Sequence, residues 1–334
     1  MADKYIRPAG TAPTRGPLVD PQGRVLNYLR VAVTDRCNLR GRYCMPLEGI
    51  EQIPHHEIMT LEETLRLCAL FTELGVRKIR VTGGEPLVRK GVTGLMTSLA
   101  RLPARPEVLL TTNGLVLAEH LEGLKAGGIR RINLSMDSLK AETWTEITRR
   151  KGFEKVRAAV DQVLEMGLGL KINVVVLPGL NDEEIPDFVA LTRHKPLTVR
   201  FIEPMPFDGA GKALEETIDG HEILRRLGGR FELNPVDQPK DAVDQLFTVK
   251  GFTGTVGVIS GHSRTFCATC SRLRLDARGR LRTCLYGAPG VNLMEMMREG
   301  LSDDDRAAAI KTEISYRFRD GKKAELAHHL VGLE

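Results

Sequence analysis

From about residue 28 to residue 203, short runs of aliphatic and β-branched residues alternate with longer amphipathic stretches. We predict six strands there, at Tyr28–Thr34, Arg77–Thr82, Glu107–Thr112, Arg130–Ser135, Leu170–Val176 and Leu197–Glu203. Strands that alternate with helices indicate parallel pairing through right-handed crossovers. The expected fold class is therefore α/β, an incomplete (β/α)6 barrel of the TIM type, with a flat doubly wound sheet as the alternative.

The clearest helix start in this region is at Thr60. Thr60 and Glu63 have the spacing of a capping box, and an apolar face that includes Cys68 follows them. Gly75 is expected to end the helix. We expect Cys68 to be a small core residue.

The rhythm of the chain changes after about residue 215. Shorter strands are predicted at Arg230–Leu233, Leu246–Val249, Thr255–Ile259, Arg272–Asp276 and Arg280–Cys284, with a helical tail from about Val291. We therefore predict a flexible leader over 1–24, a barrel over 25–215 and a smaller α+β domain over 216–334.

The predicted strands have one apolar face and one face that is polar and basic. In the first strand, for example, Leu29 and Val31 alternate with Arg30. The cations that the polar faces share are Arg30, Lys78, Arg80, Lys171 and Arg200. Charge inside a small barrel is costly unless an anion or water compensates it. The pattern predicts a cavity for a polyanion such as a nucleoside triphosphate; the alternative is that several of these residues lie at solvated strand ends.

Charge and hydropathy narrow the class of protein. The 48 basic and 43 acidic residues give a net charge of +5, too mild to indicate nucleic-acid binding. No apolar run approaches the ~20 residues of a membrane span, and residues 1–23 lack the apolar stretch of a signal peptide. We expect a cytoplasmic protein with reduced cysteines and no membrane partner.

Three of the six cysteines form a C-terminal cluster. Cys267 and Cys270 are followed, after thirteen residues, by Cys284. This spacing is typical of a metal site or an iron–sulfur cluster, and zinc with His262 as the fourth ligand is the alternative. Arg272 and Arg274 follow on one face of a predicted strand, which suits either an anionic ligand or a solvated strand edge.

Cys37 and Cys44 come directly after the first predicted strand, at the end of a barrel where active sites lie. With the segments LRVAVTDRCN, RYCMP, RVTGGEPLVR, TTNG, RINLSMD, KINVVVLPGLND, RFIEPM and FCATCSRLRL, the chain resembles the radical S-adenosylmethionine enzymes. More specifically, it resembles the GTP 3′,8-cyclases of molybdenum-cofactor biosynthesis, over almost its whole length.

The resemblance implies a lyase that cyclises GTP by radical chemistry in the first step of molybdopterin synthesis. It implies two [4Fe–4S] clusters, the first on Cys37 and Cys44 and the second on Cys267, Cys270 and Cys284. The S-adenosylmethionine contacts that it implies are Tyr43, Gly83, Gly84, Glu85, Ser135 and Met205. The GTP contacts are Arg30, Arg80, Thr111, Lys171, Arg272, Leu273 and Arg274. The implied partners are GTP, an external electron donor, the cyclic pyranopterin monophosphate synthase of the next step and a second copy of the chain.

The chain departs from the family pattern at two places. The family's first cluster uses C-x3-C-x2-C, and here Gly41 occupies the middle position. The family commonly ends in Gly-Gly, whereas this chain ends with Gly332, Leu333 and Glu334. We expect both departures to impair radical initiation. The alternative function is a GTP- or metal-binding protein without radical chemistry.

Overall fold

The computed structural model describes residues 16–205, 217–263 and 265–331. Its strands are β1 (Tyr28–Ala32), β2 (Lys78–Thr82), β3 (Glu107–Thr112), β4 (Arg131–Ser135), β5 (Gly169–Val175), β6 (Leu197–Ile202), β7 (Leu233–Pro235), β8 (Gln245–Val249), β9 (Thr255–Ile259), β10 (Arg272–Leu275) and β11 (Leu281–Arg282). Its helices are α1 (Leu61–Glu73), α2 (Val92–Ala100), α3 (Leu121–Ala126), α4 (Ala141–Thr148), α5 (Phe153–Glu165), α6 (Ile185–Ala190), α7 (Gly220–Gly228), α8 (Leu293–Arg298), α9 (Asp303–Ser315) and α10 (Gly321–Val331).

The chain divides into two compact units. Unit 1 comprises Met1–Asp35, Ile53–Val108 and Cys267–Glu334, and unit 2 comprises Arg36–Gln52 and Leu109–Phe266. Each unit therefore combines segments that are distant in sequence, and the two candidate cysteine clusters fall in different units.

In unit 1 the strand order is β11-β10-β1-β2, and β1 is parallel to both β2 and β10. Leu29 and Val31 of β1 are fully buried, as are Ile79 and Val81 of β2. Because side chains alternate across a strand, the opposite face carries the cations, as predicted. Cys68 is also fully buried, which confirms its predicted place in the core.

Residues 16–24, the described part of the predicted leader, pack against the rest of unit 1. Val19 and Val25 form an antiparallel bridge, and Asp20 is buried between two arginines. Asp20 Oδ2 accepts hydrogen bonds from Arg24 Nε at 2.6 Å and from Arg317 Nη1 at 3.0 Å. The remainder of the predicted leader, 1–15, lies outside the described residues.

Unit 2 contains the strands β3-β4-β5-β6-β9-β8-β7 in that order. Neighbours from β3 to β6 are parallel, β9 is parallel to β6, and β8 and β7 continue the sheet as an antiparallel pair. The antiparallel part corresponds to the change of rhythm after residue 215, where hairpin spacing replaces the crossover helices.

The predicted strands agree with the observed ones to within one or two residues, with one exception. The strand predicted at Arg230–Leu233 begins only at Leu233. The amides of Arg230 and Phe231 donate to Leu227 O, so these residues form the C-terminal turn of α7 instead. The hydrogen bonds at the end of the helix determine the conformation of these residues, although their composition favours a strand. No helix in the described ranges is long and apolar enough to cross a membrane.

The predicted capping box at the start of α1 is present. Thr60 Oγ1 accepts from Glu63 N at 3.1 Å, and Glu63 Oε2 accepts from Thr60 N at 2.7 Å. We expect Thr60→Ala to lower the free energy of unfolding by about 1 kcal/mol, because an orphan amide of the first turn loses its acceptor. Denaturant unfolding measures the change. Thr97→Ala inside α2 is the control, and an equal loss in both variants would contradict a capping role.

Candidate functional site

Two rows of side chains cross the polar face of the unit 1 sheet. The register places Arg80, Arg30 and Arg274 side by side on β2, β1 and β10. Two residues earlier on each strand, the register aligns Tyr28 with Lys78 on β2 and with Arg272 on β10. Three predicted GTP contacts therefore share one row.

Tyr28 lies between two arginines of these rows. Arg80 Nε donates to Tyr28 Oη at 2.5 Å, and the Arg80 guanidinium carbon is 5.9 Å from the ring centroid. Arg272 approaches the same ring at 5.5 Å. Burial would raise the pKa of the Tyr28 phenol, but the charges of Arg80, Arg30 and Arg272 together lower it. Sequence reasoning missed Tyr28, which only the strand register reveals.

The arginine row is electrostatically strained without an anion. Burial lowers the pKa of Arg30 to about 9, and the charges of Arg80 and Arg274 add to that shift. Burial also lowers the pKa of Arg274. Like charges in a desolvated row repel one another, so a polyanion on this face would stabilise them.

Unit 1 also holds the C-terminal cysteines. Cys267 begins a short 3-10 turn, and its carbonyl accepts from Arg24 Nη1 at 2.7 Å. Arg272 Nη1 is 3.8 Å from the Cys270 sulfur. Burial would raise the pKa of the Cys270 thiol, but the charges of Arg272 and Arg317 lower it. The charges of Cys270 and Cys284 both act on Arg274, so the arginine row borders this cysteine cluster.

The chemistry of these three sulfurs fits an anionic iron–sulfur cluster, because thiolates are the required ligands and arginines stabilise them. Within the described ranges, no three His, Cys, Asp or Glu side chains lie close enough together to hold a metal ion. The zinc alternative would add His262, whose side chain is exposed.

The segment Gly83–Glu85, also in unit 1, follows β2 and packs on the residues after β1. Gly84 N donates to Thr34 O at 2.8 Å, and a Cβ at Gly83 would lie only 2.5 Å from that oxygen. Glu85 is 1% exposed, and its carboxylate accepts from Leu87 N at 3.0 Å. Gly83 is therefore required by the close backbone approach, in addition to any ligand contact.

In unit 2, Cys37 and Cys44 lie on the loop before Gln52. The amides of Cys44 and Met45 donate to Gly41 O at 3.0 and 3.1 Å, which forms a turn. The Cys37 sulfur lies 3.4 Å from Leu39 N and 3.9 Å from Asn113 Nδ2. Asn113 belongs to the segment TTNG, but the sequence analysis did not single it out as a contact of Cys37.

Gly41 leaves room for a side chain. A Cβ built there would lie 3.5 Å from the Cys44 sulfur, an ordinary contact distance, and the residue is not among the glycines with positive φ. The backbone at position 41 therefore accommodates a side chain, and none is present. Two thiolates do not complete a three-thiolate set, so the residues present do not fit the family's first cluster.

The same loop is fixed to unit 2 through Tyr43 and Asp137. Tyr43 Oη donates to Asp137 Oδ2 at 2.7 Å, and Asp137 Oδ1 accepts from Val175 N at 2.8 Å. Burial raises the pKa of Asp137 to about 6, against these two stabilising hydrogen bonds. Burial and the Asp137 charge raise the pKa of Tyr43. Asp137 belongs to the motif RINLSMD, but sequence reasoning assigned it no role.

The remaining predicted contacts of unit 2 lie on its strand rows. Thr111, Asn133 and Lys171 share one register row across β3, β4 and β5, and Ser135 is aligned with Asn173 on the next polar row. Met205 lies against Gly261, where a Cβ would come within 2.6 Å of its sulfur.

Leu273 differs from its neighbours Arg272 and Arg274 in unit 1. Its side chain is fully buried on the opposite face of β10. Only its backbone remains for the predicted GTP contact.

Comparison with known proteins places these residues in a family. Residues 31–192 match the model of the radical SAM superfamily, and residues 197–322 match that of the molybdenum cofactor synthesis C domain. The GTP 3′,8-cyclase of Peptoclostridium acidaminophilum is 41% identical over 91% of this chain and 93% of its own length. The chain belongs to the GTP 3′,8-cyclase family.

A longer relative is molybdenum cofactor biosynthesis protein 1 of Drosophila melanogaster, which is 41% identical to this chain. The match covers 94% of the chain but 56% of that protein, so the chain spans little more than half of its length. A Streptococcus suis SuiB structure bound to S-adenosylmethionine has a TM-score of 0.59 at 14% identity, covering 83% of this chain and 67% of SuiB. The predicted α/β fold class, a partial TIM-type barrel with a C-terminal domain, is confirmed. Radical SAM membership confirms S-adenosylmethionine and an iron–sulfur cluster as cofactors of the family.

Asp137 gives the stability of this chain a measurable pH dependence. A carboxyl with a pKa raised to about 6 binds its proton more tightly when folded, so its contribution to stability falls as pH rises from about 4 through 6. In Asp137→Asn this loss is absent. We expect the variant to gain about 3 kcal/mol relative to the parent between pH 4 and pH 7. Unfolding at each pH measures the difference, and a flat difference curve would contradict the shift.

Proposed function

We propose that this chain binds GTP and S-adenosylmethionine and has the architecture of a catalyst that converts GTP to (8S)-3′,8-cyclo-7,8-dihydroguanosine 5′-triphosphate. The observation that carries the proposal is the row of Arg80, Arg30 and Arg274 on the unit 1 sheet. Burial without an anion disfavours the charged forms of Arg30 and Arg274, and a triphosphate supplies the compensating charge.

In this proposal each unit has its own candidate contacts for GTP. Arg30, Arg80 and the guanidinium groups of β10 bind phosphate oxygens through charge-assisted hydrogen bonds, and Tyr28 holds two of those guanidinium groups in place. In unit 2, Lys171 and Thr111 present a cation and a hydroxyl on adjoining strands.

The contacts proposed for S-adenosylmethionine likewise have separate structural roles. The buried Glu85 carboxylate offers acceptor oxygens to the methionine ammonium, which carries three N–H donors, and Gly83 and Gly84 let the backbone approach the ligand closely. Tyr43 offers an aromatic face to a purine, with its hydroxyl fixed by Asp137. Ser135 and Met205 complete the proposed set.

Cys267, Cys270 and Cys284 would hold the proposed second cluster. When bound, a cluster with three thiolate ligands offers one open iron to an oxygen or nitrogen of the base. Arg272 stabilises the Cys270 thiolate, and Arg24 fixes the carbonyl of Cys267. These residues thereby orient the loop that receives the base.

The first cluster is different, because Cys37 and Cys44 supply only two thiolates. We derive no reaction step through that site in this chain. The second candidate function is GTP binding without radical chemistry, and the absent side chain at Gly41 is the observation that favours it.

The proposal extends to partners. The external electron donor belongs to a cyclase whose first cluster is complete, because reductive cleavage of S-adenosylmethionine takes one electron. The cyclic pyranopterin monophosphate synthase would consume the product, and a homodimer is the proposed assembly. We place these reactions in the cytoplasm, with domains at 25–215 and 216–334. The departure predicted at 332–334 lies outside the described residues.

Gly41→Cys tests whether the first site lacks only its third ligand. After anaerobic reconstitution we expect about four additional irons per chain and release of 5′-deoxyadenosine above the parent's background, because the backbone already accommodates a Cβ. Iron and sulfide analysis and chromatography of the nucleoside measure both. Leu47→Cys, on the same loop and exposed, is the matched control.

About eight irons and turnover in the parent chain would show that Gly41 does not disable the site. Zinc without iron in the reconstituted C-terminal site would contradict the proposed function itself.

Arg80→Gln tests the arginine row without involving either cluster. Loss of a partly desolvated guanidinium is expected to weaken GTP binding by about 10- to 100-fold and to reduce its salt dependence. Guanosine binding should change little, since it carries no phosphate. Titration calorimetry at two salt concentrations measures this. Arg77→Gln is the control, because Arg77 lies three residues before Arg80 and is exposed. Equal losses of GTP affinity in both variants would contradict the role of the arginine row.

A further inference from the structure

Asp244 is a buried acidic residue between two cations of unit 2, and no motif pointed to it. Asp244 Oδ2 lies 3.9 Å from Lys171 Nζ and 3.9 Å from Arg200 Nη1. The residue is 8% exposed, and that oxygen accepts no hydrogen bond from any residue that the structure describes. At this separation the carboxylate acts on both cations by charge, since the distances exceed those of hydrogen bonds.

The local strands are built to bring these groups together. Arg200 is oriented by Asn173, whose Oδ1 accepts from Nε at 3.0 Å and from Nη2 at 2.7 Å. Gly257 on β9 is aligned with Arg200. A Cβ there would lie 3.4 Å from the Asp244 Cβ and 3.5 Å from the Arg200 Cγ. Gly257 therefore lies beside both residues, at distances that are ordinary contacts for a Cβ.

The net charge of Lys171, Arg200 and Asp244 determines how this group of residues acts on an anion. Lys171 and Arg200 contribute two positive charges and Asp244 removes one, which leaves a net charge of +1 at neutral pH. An anion bound beside the two cations also experiences the nearby carboxylate, and that repulsion is strong where water is excluded. Asp244 thus weakens polyphosphate binding at the same place where Lys171 strengthens it.

We infer that Asp244 is a specificity-determining residue that limits the affinity of unit 2 for polyphosphate by opposing the charges of Lys171 and Arg200. The inference rests on the proposed function, because it takes the ligand to be the triphosphate of GTP. Its consequence is that the parent chain releases a triphosphate product more readily than a site with two unopposed cations would.

Asp244→Asn tests this inference, since it removes the charge and keeps the size of the side chain. We expect GTP to bind about tenfold more tightly to the reconstituted full chain at low salt, with the gain shrinking at high salt. The affinity for guanosine should stay the same, because the effect acts on phosphate. Titration calorimetry with GTP and with guanosine measures both.

Asp237→Asn is the matched control, because it removes one acidic charge from an exposed position of the same segment. In the double variant Asp244→Asn, Lys171→Gln, the gain in GTP affinity should be at least halved, as its cationic partner is gone. Should Asp244→Asn fail to fold, Asp244→Ser removes the same charge with a smaller side chain. Circular dichroism and thermal unfolding establish which variant is folded.

Unchanged or weaker GTP binding in a folded Asp244 variant would overturn the inference, and so would an equal gain for guanosine. An equal gain in Asp237→Asn would show a general charge effect and also overturn it. Failure of the parent chain to bind GTP would instead contradict the proposed function, so the two failures are distinguishable.

Discussion

Positive charge on the polar face of β1 and its neighbours is the constraint on which the site depends. The apolar face of the same strands forms the core, so every second residue must face the other way. In unit 1 that alternation aligns arginines from three strands in one row. These like charges repel one another, and a bound polyanion would compensate them.

The two units handle their charges differently. In unit 1, Tyr28 separates Arg80 from Arg272 through a hydrogen bond and ring contacts, which add no negative charge in the neutral phenol. In unit 2 the carboxylate of Asp244 lies directly beside Lys171 and Arg200. The first arrangement preserves attraction for an anion, and the second moderates it. The attraction for an anion is therefore strong in unit 1 and weaker in unit 2.

Strand and helix positions were predictable because hydrophobic periodicity is a local property of the chain. Site residues such as Cys37, Gly84 and Lys171 come from the resemblance and remain predictions. Tyr28, Asp137 and Asp244 could not be found from the sequence, because their contacts arise from strand register and between residues distant in sequence. Arg230 and Phe231 show the converse limit, since a helix terminus used the backbone groups that their composition had offered to a strand.

The turn at Gly41 separates folding from iron chemistry. Its hydrogen bonds use the carbonyl of residue 41, and the contacts that hold the loop come from Tyr43 and from the backbone of Arg40 and Arg42. These contacts do not involve a side chain at 41, so a side chain there is needed only for a site with three thiolates. As an apoprotein, a chain without this thiol keeps the same backbone hydrogen bonds as a chain that has it, so the two differ in stability only once a cluster is bound. Selection on the stability of the apoprotein would therefore not detect the loss.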